Sequence, residues 1–466
     1  MTLIKSISGI RGTIGGHSEG NLTPFDVVKF AAGFGAWIIE NNQTKKVVIG
    51  RDARISGDMV RGLIVGTLQG LGIDIVDLGL STTPTVEMAV VWEKAGGGII
   101  ITASHNPKQW NALKLLNNRG EFISSKDGKD VLRLAEDGNI EFAQIDKLGS
   151  YSKSDKYLDK HIKAILALPY VDAEAIKKAN FKVLVDAVNS VGGLAVPALL
   201  KALGVEQIVA MYCEPTGIFP HNPEPLPEHL SQVAHEVVFN KCDLGIVVDP
   251  DVDRLAMINE DGSMFGEEYT LVAIADYVLG KKKGNTVSNL SSTRALKDVT
   301  KNWHNQEYFA SAVGEVNVVK KMKSVDAVIG GEGNGGIIVP DLHYGRDALV
   351  GIALFLSHLA NSSKRCSVLR NQYPAYFMHK SKMELIDGVD VDLILEQIKD
   401  KYKSQPVNTE DGVKIEFEEE WVHLRKSNTE PIIRIYSEGK TETTAINIGN
   451  KIIHDIRELM SQNQLI

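Results

Sequence analysis

Apolar strand-like segments and amphipathic helix-like segments alternate along most of this chain, and this alternation restricts the fold more than any other feature. The first helix is predicted over residues 23–40, because Thr23 can cap it and Pro24 suits its first turn. The segments "KKVVIG", "SGDMVRGLIVGTLQGLG" and "IDIVDLG" then read as strand, helix and strand. This β-α-β order is typical of α/β domains with a largely parallel sheet.

The same pattern returns twice further along the chain. One set is "FKVLVDAVN", "GGLAVPALLKALG" and "CDLGIVVDPDVDR", and the other is "YTLVAIADYVLG", "NTVSNL" and "DAVIGGEGNGG". Three apolar strands therefore end in polar or glycine-rich loops near residues 104, 249 and 332. Ligands of open α/β sheets bind beyond the carboxyl ends of strands, so these three loops are candidates for one shared cleft.

The pattern changes after about residue 370. "VHLRKSNTEPIIRIYSE" resembles two alternating strands around a turn, and residues 441–461 resemble a closing helix, which together favour an α+β domain with antiparallel pairing. A length of 466 residues suits three or four domains. The predicted domains are 1–150, 151–255 and 256–370, each α/β, and 371–466, which is α+β.

Charge and cysteine usage narrow the class of protein. The net charge of −8 argues against a general nucleic-acid binder. Cys213, Cys242 and Cys366 lie far apart and outside any CxxC spacing, which indicates neither a disulfide framework nor a cysteine zinc site. The chain starts without the apolar region of a signal peptide and has no run of ~18 apolar residues. We expect a cytoplasmic protein with no nucleic-acid or membrane partner.

The segment "DPDVDR" places Asp249, Asp251 and Asp253 within five residues. Three adjacent carboxylates are costly without a cation, and an all-oxygen set suits Mg²⁺. An EF-hand is rejected, because Arg254 stands where that loop needs glycine. Two alternatives stay open: an acidic surface turn, and the strand and DxD of haloacid-dehalogenase-type phosphatases, in which Asp249 would be the nucleophile.

The segment "IIITASHNPK" ends a buried strand in a crowded polar turn around Ser104. A serine before Asn-Pro often only caps the backbone. Beside a Mg²⁺ triad it gains a second interpretation, because a phosphorylated Ser104 would carry about −1.5 to −2 charges and oxygens able to ligate the metal. The sequence therefore makes Ser104 a candidate phosphoryl carrier.

Two further loops carry groups suited to a phosphosugar. In "GEGNGG", the glycines permit close approach of a ligand, and Glu332 and Asn334 match sugar hydroxyls, although a plain glycine-rich turn fits equally well. In "RKSNTEPIIR", a donor-rich set suits a phosphate dianion, with a hairpin carrying incidental arginines as the alternative. That set comprises Arg425, Ser427, Asn428, Thr429 and Arg434.

These four loops in this order, with "SGIRG" near the start, resemble the α-D-phosphohexomutase superfamily over essentially the whole chain. The resemblance implies three similar α/β domains with mixed, mainly parallel sheets and a C-terminal α+β domain, arranged around a central cleft. It implies that Ser104 is the phosphoserine and that the three aspartates bind one Mg²⁺ together with a phosphoserine oxygen. It also places "GEGNGG" at the sugar and "RKSNTEP" at the phosphate that is not transferred.

The resemblance also assigns roles around the serine. Arg11 matches an active-site arginine of the family, and Lys114 matches a lysine proposed for acid/base work, which would require that cationic neighbours lower its pKa. His105 is a possible substitute, and Arg254 could offset charge on the moving group. The implied reaction interconverts hexose 6-phosphate and hexose 1-phosphate through a hexose 1,6-bisphosphate, which also serves as activator.

The sugar itself stays open. The opening "SISGIRGTIGG" is similar to bacterial phosphoglucosamine mutases, so glucosamine 6-phosphate is the expected substrate. Bacterial relatives commonly carry serine and then glycine-histidine where this chain has Asn334, Gly335 and Gly336, so a phosphomannomutase/phosphoglucomutase is the alternative. An Asp249-dependent phosphohydrolase and a silent phosphosugar-binding protein are the rivals from other classes. The chain is expected to be a monomer or homodimer.

Overall fold

The structure is a computed structural model that describes residues 2–6, 9–17, 20–41, 44–385, 390–426 and 432–462. Its strands, numbered in chain order, are β1 (Ile4–Ser6), β2 (Gly9–Thr13), β3 (Lys46–Arg51), β4 (Asp74–Leu80), β5 (Gly97–Ile101), β6 (Trp110–Leu116), β7 (Tyr151–Lys153), β8 (Lys182–Asp186), β9 (Gln207–Met211), β10 (Leu244–Val248), β11 (Leu255–Asn259), β12 (Asn285–Asn289), β13 (Tyr308–Ser311), β14 (Ala327–Glu332), β15 (Gly336–Ile338), β16 (Phe377–Glu384), β17 (Val407–Asn408), β18 (Val413–Glu416), β19 (Trp421–Lys426) and β20 (Ile432–Gly439).

The α-helices are numbered in the same way. They are α1 (Pro24–Glu40), α2 (Gly57–Gly70), α3 (Thr83–Trp92), α4 (Ser125–Asp137), α5 (Tyr157–Leu166), α6 (Ala173–Ala179), α7 (Gly192–Ala202), α8 (Ser231–Phe239), α9 (Glu267–Leu279), α10 (Ala295–Lys301), α11 (Glu315–Ser324), α12 (Ala348–Ser362), α13 (Cys366–Arg370), α14 (Val391–Lys401) and α15 (Glu442–Gln462). Two short 3₁₀ turns lie at Ile145–Lys147 and Pro227–His229.

Two compact units divide the chain, and the first comprises Met1–Lys281 with Asn334–Arg370. Its larger sheet has the order β1-β2-β6-β5-β3-β4-β7. Strands β5, β3, β4 and β7 run parallel, whereas β6 pairs antiparallel with β5, and β2 pairs antiparallel with β6. Every residue of β5 is buried, as expected for a strand covered on both faces.

The first unit contains a second sheet of order β11-β10-β8-β9. Strands β8, β9 and β10 are parallel, and β11 returns antiparallel to β10. Because β10 is also wholly buried, the polar loop that follows it emerges from the interior of the sheet. Strands β5 and β10 thus each deliver one of the candidate loops.

The second unit comprises Lys282–Gly333 with Asn371–Ile466. Strands β12, β13 and β14 run parallel in the order β13-β12-β14. A separate antiparallel sheet follows the order β16-β20-β19-β18-β17, with α14 and α15 packed beside it. The predicted change from parallel to antiparallel pairing after residue 370 is therefore confirmed.

Several local predictions are also confirmed. Helix α1 begins at Pro24, where the Asp26 carboxylate accepts the backbone N–H of Thr23, and α15 is the predicted closing helix. The predicted architecture of three α/β domains with mixed sheets and a C-terminal α+β domain is observed, while the exact boundaries near 150, 255 and 370 stay predictions.

All three cysteines are free thiols. Among the described helices, none is both long and apolar enough for a membrane crossing.

Candidate active site

The turn after β5 holds Ser104 in an unusual conformation. Ser104 has φ +48°, a left-handed value that residues with a Cβ rarely adopt. Its backbone N–H donates to the Thr102 hydroxyl at 2.9 Å. Its own hydroxyl, on a residue only 7% exposed, donates to Asp249 Oδ2 at 2.7 Å. The turn thus aims the serine at the first predicted metal ligand.

The three aspartates of the loop after β10 are gathered and buried. Asp249, Asp251 and Asp253 are each 0% exposed, and their ligand oxygens all lie within 4.8 Å of one another. Among the described residues, Asp251 Oδ1 and Asp253 Oδ1 have no hydrogen-bond partner although both are buried. Unsatisfied carboxylate oxygens in the interior are costly, and a hard divalent ion would satisfy them. The triad could therefore bind a metal ion.

The first aspartate differs electrostatically from the third. Burial and the two neighbouring carboxylates raise the pKa of Asp249. Burial also acts to raise the pKa of Asp253, but Arg346 and Lys114 lower it further than burial raises it. Asp249 Oδ1 accepts the backbone N–H groups of Asp253 and Arg254, each at 3.1 Å, which closes the loop on itself.

Lys114, on β6, is an ion-pair partner of the triad. Its Nζ lies 2.7 Å from Asp251 Oδ2 and 3.3 Å from Asp253 Oδ2. Burial acts to lower the pKa of Lys114, but the two carboxylates outweigh burial, and its pKa stands above the ordinary value. The condition that cationic neighbours lower this pKa is therefore not met, because the nearest charges are negative.

Two residues in contact with the triad were not identified from the sequence. Arg346 Nη2 donates to Asp253 Oδ2 at 2.7 Å, and the Thr83 hydroxyl donates to Asp251 Oδ2 at 2.6 Å. Arg346 lies in "HYGRDAL" just before α12, and Thr83 opens α3. The only sequence signal for Arg346 was a charged residue next to the start of a helix. Sequence spacing does not show that this side chain contacts the loop after β10.

Three further predicted residues lie around the serine. His105 Nδ1 is 3.4 Å from Ser104 Oγ, and burial, with Arg254 next, lowers the His105 pKa to about 2, so the ring is neutral. Arg254 Nη1 lies 3.4 Å from Glu224 Oε1, and its buried Nε has no partner among the described residues. Burial and the charge of Arg254 lower the pKa of Arg11, which places two guanidinium groups in one neighbourhood.

The two predicted sugar-loop residues differ in setting. Glu332, in the second unit, is buried, and its Oε1 accepts Asn289 Nδ2 at 2.9 Å and the Gly314 N–H at 3.0 Å. Asn334, in the first unit, is half-buried, and its Oδ1 accepts the Gly336 N–H at 3.2 Å. The structure thus fixes both side chains in local hydrogen bonds, and their role toward a sugar stays a prediction.

The predicted phosphate loop is only partly described. Arg425 and Arg434 are direct cross-strand partners in β19 and β20, and Arg425 Nε lies 2.8 Å from Asp411 Oδ2. Arg434 is exposed. Ser427, Asn428 and Thr429 lie outside the described residues. Two arginines facing each other across a β-ladder repel, so a bound anion would stabilise the pair.

A second buried polar cluster lies beside the triad within the first unit. Asp347 Oδ2 is 2.9 Å from His161 Nε2 and 3.3 Å from His343 Nε2. His343 Nδ1 is 3.3 Å from Glu87 Oε2, and His161 Nδ1 is 2.9 Å from the Thr85 hydroxyl. Asp347 follows Arg346 in the chain, and Glu87 lies one helical turn after Thr83. The hydrogen bonds of the cluster therefore hold the two backbone segments that carry Arg346 and Thr83.

Comparison with protein families gives four matches in succession. They are described as phosphoglucomutase/phosphomannomutase alpha/beta/alpha domain I over residues 3–139, domain II over 156–262 and domain III over 266–376, and the C-terminal domain over 383–454. The four matches cover most of the chain in the order that the loops predicted.

Full-length relatives agree with these matches. A phosphoglucomutase/phosphomannomutase of Thermococcus kodakarensis is 34% identical over 95% of this chain and 98% of its own length. A phosphoglucosamine/phosphogalactosamine mutase of Sulfurisphaera tokodaii is 32% identical over 97% of this chain and 98% of its own. The crystal structure of a putative phosphomannomutase from Thermus thermophilus superposes with a TM-score of 0.81 at 25% identity, over 97% of this chain and 99% of that one.

The four consecutive domains agree with these relatives over nearly the whole chain. Enzymes of this kind are isomerases that move a phosphoryl group within one sugar molecule. The chain therefore belongs to the phosphoglucomutase/phosphomannomutase family of the α-D-phosphohexomutase superfamily.

Proposed function

We propose that Ser104 is the phosphoryl carrier of this mutase. The observation that carries the proposal is the 2.7 Å hydrogen bond from the Ser104 hydroxyl to Asp249 Oδ2, which lies in a triad with unsatisfied oxygens. In the first transfer, the P–O bond to Ser104 breaks as a P–O bond to a sugar hydroxyl forms; the hydroxyl gives up its proton, and the serine oxygen gains one. In the second transfer, the P–O bond at the other end of the bisphosphate breaks as the bond to Ser104 forms again, and the protons move in the opposite direction.

Asp249, Asp251 and Asp253 are the residues that would hold one Mg²⁺, together with an oxygen of phosphorylated Ser104. When bound, Mg²⁺ supplies positive charge that offsets the charge of the phosphoryl group. Arg254, with its buried Nε lacking a partner among the described residues, is assigned to the phosphoryl oxygens. Arg11 adds a second cation in the same neighbourhood.

Lys114 is assigned the acid/base role, with His105 as its substitute. The raised pKa of Lys114 keeps it protonated at neutral pH, so Lys114 acts first as an acid that donates a proton to the leaving oxygen, and its neutral form then takes the proton that the attacking hydroxyl gives up. His105 is neutral and lies 3.4 Å from the serine hydroxyl, where it can accept a hydrogen bond. A pKa near 2 makes His105 a weak base, which favours Lys114 for proton transfer.

The Ser104→Ala variant tests the carrier directly. We expect loss of mutase turnover and loss of the phosphoryl group in the intact mass after incubation with glucose 1,6-bisphosphate and Mg²⁺. Retained full turnover would contradict the carrier role. The rival phosphohydrolase with Asp249 as nucleophile makes the opposite prediction: inorganic phosphate is released as the net product, and release survives Ser104→Ala.

The proposed substrate is glucosamine 6-phosphate, which is converted to glucosamine 1-phosphate. The second candidate is a phosphomannomutase/phosphoglucomutase, because the two full-length relatives carry different sugar names at 34% and 32% identity. We would compare kcat/KM on glucosamine 6-phosphate, mannose 1-phosphate and glucose 1-phosphate with a trace of hexose 1,6-bisphosphate. A preference of ~100-fold, about 2.7 kcal/mol in transition-state binding, for the amino sugar supports the first candidate, and comparable rates support the second.

The proposed setting is the cytoplasm, with a phosphosugar as the partner molecule. All three cysteines are free, which suits a reducing compartment. Whether the chain is a monomer or a homodimer stays a prediction. Size-exclusion chromatography with light scattering distinguishes the two states.

A further inference from the structure

The turn that follows β3 contains an arginine whose guanidinium is almost completely enclosed by protein. Arg54 is 1% exposed and stacks over the Phe219 ring at 5.1 Å. Its nitrogens donate to the backbone carbonyls of the serine turn and to one carboxylate. The acceptors are Ser104 O (2.6 Å), Asn106 O (2.6 Å), Pro107 O (2.8 Å), Trp110 O (3.1 Å) and Asp52 Oδ2 (3.0 Å).

Asp52 reaches the other side of the same serine. Its Oδ2 accepts the Thr102 hydroxyl at 2.7 Å, and the Thr102 oxygen in turn accepts the Ser104 backbone N–H at 2.9 Å. The Ser104 backbone is therefore held at its carbonyl oxygen by Arg54 and at its N–H group by Thr102. A left-handed residue with a Cβ persists only where its surroundings hold it in place.

The same turn is also connected to the aspartate loop. The backbone N–H of Ala53 donates to Ser190 Oγ at 3.3 Å, and the Ser190 hydroxyl donates to Pro250 O at 2.7 Å. Ser190 is 0% exposed, so water does not compete for these bonds. One short turn thus contacts both the serine turn and, through a single hydroxyl, the loop that carries Asp249.

We propose that the turn 52–54 is a clamp that sets the position of Ser104 Oγ relative to the aspartate triad, with Arg54 as its positioning residue. This inference rests on the carrier role proposed for Ser104. Arg54 touches no reacting atom, because its contacts are with backbone carbonyls and Asp52. Its effect reaches the chemistry only through the geometry of the turn.

The Arg54→Lys variant tests the clamp. Lysine keeps the positive charge, but its single ammonium group cannot donate to the four backbone carbonyls that the two Arg54 Nη atoms contact. We therefore expect the serine turn to lose its fixed position. A misplacement of about 1 Å at a reacting group costs roughly 100-fold in rate. We expect kcat, and the rate of Ser104 phosphorylation by glucose 1,6-bisphosphate, to fall by about 100-fold, with KM changed by less than about 3-fold.

Arg61→Lys is the matched control. Arg61 is a partly buried arginine of the same domain that donates to Asp77 and to the Tyr151 hydroxyl, neither of which belongs to the serine turn. We expect it to change melting temperature without changing kcat. If Arg54→Lys leaves kcat and phosphorylation rate within about 3-fold of wild type, the clamp is contradicted.

Ser190→Ala keeps the inference testable if Arg54→Lys does not fold. Loss of one hydroxyl removes the link between Ala53 and Pro250 and should lower kcat by about 10-fold at unchanged KM. An unchanged kcat in a folded Ser190→Ala chain would contradict the proposal that the turn 52–54 positions Ser104 relative to the loop that carries Asp249. A wild-type chain that gains no phosphate on Ser104 after incubation with glucose 1,6-bisphosphate and Mg²⁺ would instead contradict the carrier role, which separates the two proposals.

Discussion

His343 lies between two buried carboxylates, Glu87 and Asp347, each 3.3 Å from one of its ring nitrogens. Burial acts to lower the pKa of His343, but Asp347 and Glu87 raise it to about 10. An imidazolium at this place therefore balances negative charge that no solvent reaches. Because the folded pKa exceeds the ordinary 6.5, the stabilisation is complete below pH 6.5 and is lost as the pH rises toward 10.

We expect His343→Gln to lower the free energy of unfolding by about 3 kcal/mol at pH 6.5, because a buried ion pair loses its cation. The gap between wild type and variant should close as the pH rises toward 10. Urea unfolding at several pH values measures it, with the exposed His235→Gln as control. The gap is the quantity to follow, because Lys414, whose pKa burial lowers to about 8, titrates in the same range with the opposite sign.

At the scale of single residues, the sequence predicted which groups meet and was less able to predict their charge states. Ser104 and Asp249 were paired correctly by chemical logic, and their hydrogen bond is present. The condition placed on the Lys114 pKa is not met, since this pKa depends on two carboxylates that only the fold brings within 3.3 Å. Arg346 was missed for the same reason.

Helix α2 carries two exposed glycines that its fold does not require. At Gly62 and at Gly66, an added Cβ would meet nothing within 4 Å. Alanine at a helix interior is more favourable than glycine by roughly 0.5–1 kcal/mol. We expect Gly62→Ala and Gly66→Ala each to raise the free energy of unfolding by about that amount and to leave kcat unchanged, as measured by thermal unfolding and turnover.

Gly193→Ala, in α7, is the contrasting control for that prediction. There the added Cβ would lie 1.9 Å from the Cys213 carbonyl oxygen, so the backbone must shift. We expect a lower melting temperature for this variant. We attribute the difference between the two positions to the space around the added Cβ. Equal changes in melting temperature for Gly62→Ala and Gly193→Ala would contradict this explanation.

At the scale of elements, periodicity was enough to locate strands and helices but not their neighbours. Strands β5 and β10 were found because continuous apolar runs end in polar turns. Nothing in the run "WNALKLL" showed that β6 would insert antiparallel between β2 and β5. Pairing depends on long-range contacts, and this insertion is what brings Lys114 to the triad.

The whole molecule protects its thiols. Cys242 and Cys366 are buried, and burial raises the pKa of all three cysteines, that of Cys213 to about 11. Reaction needs the thiolate, so native labelling by a disulfide reagent should be slow and should accelerate only when the chain unfolds. We expect at most one thiol to react in native buffer and three in urea, and fast native labelling of three thiols would contradict this.

The order of the four loops along the chain predicted the four-domain architecture, because each loop type follows a different sheet. Sequence could not predict how the chain groups into units, since Asn334–Arg370 belongs with Met1–Lys281 despite the intervening segment. Proximity between segments so distant in sequence leaves no local pattern. Sugar preference is equally hard to predict from sequence, since it depends on a few contacts between the protein and the sugar.

The bond between Ser104 and Asp249 joins positions 145 residues apart. A ribosome adding about 5–20 residues per second needs roughly 7–30 s to cover that interval. Throughout this time the nascent chain already contains Arg54 and the serine turn, but the aspartates do not yet exist. On the carrier role proposed for Ser104, phosphorylation of the serine therefore has to follow translation of the second domain, and we expect a chain truncated before Asp249 to be inactive.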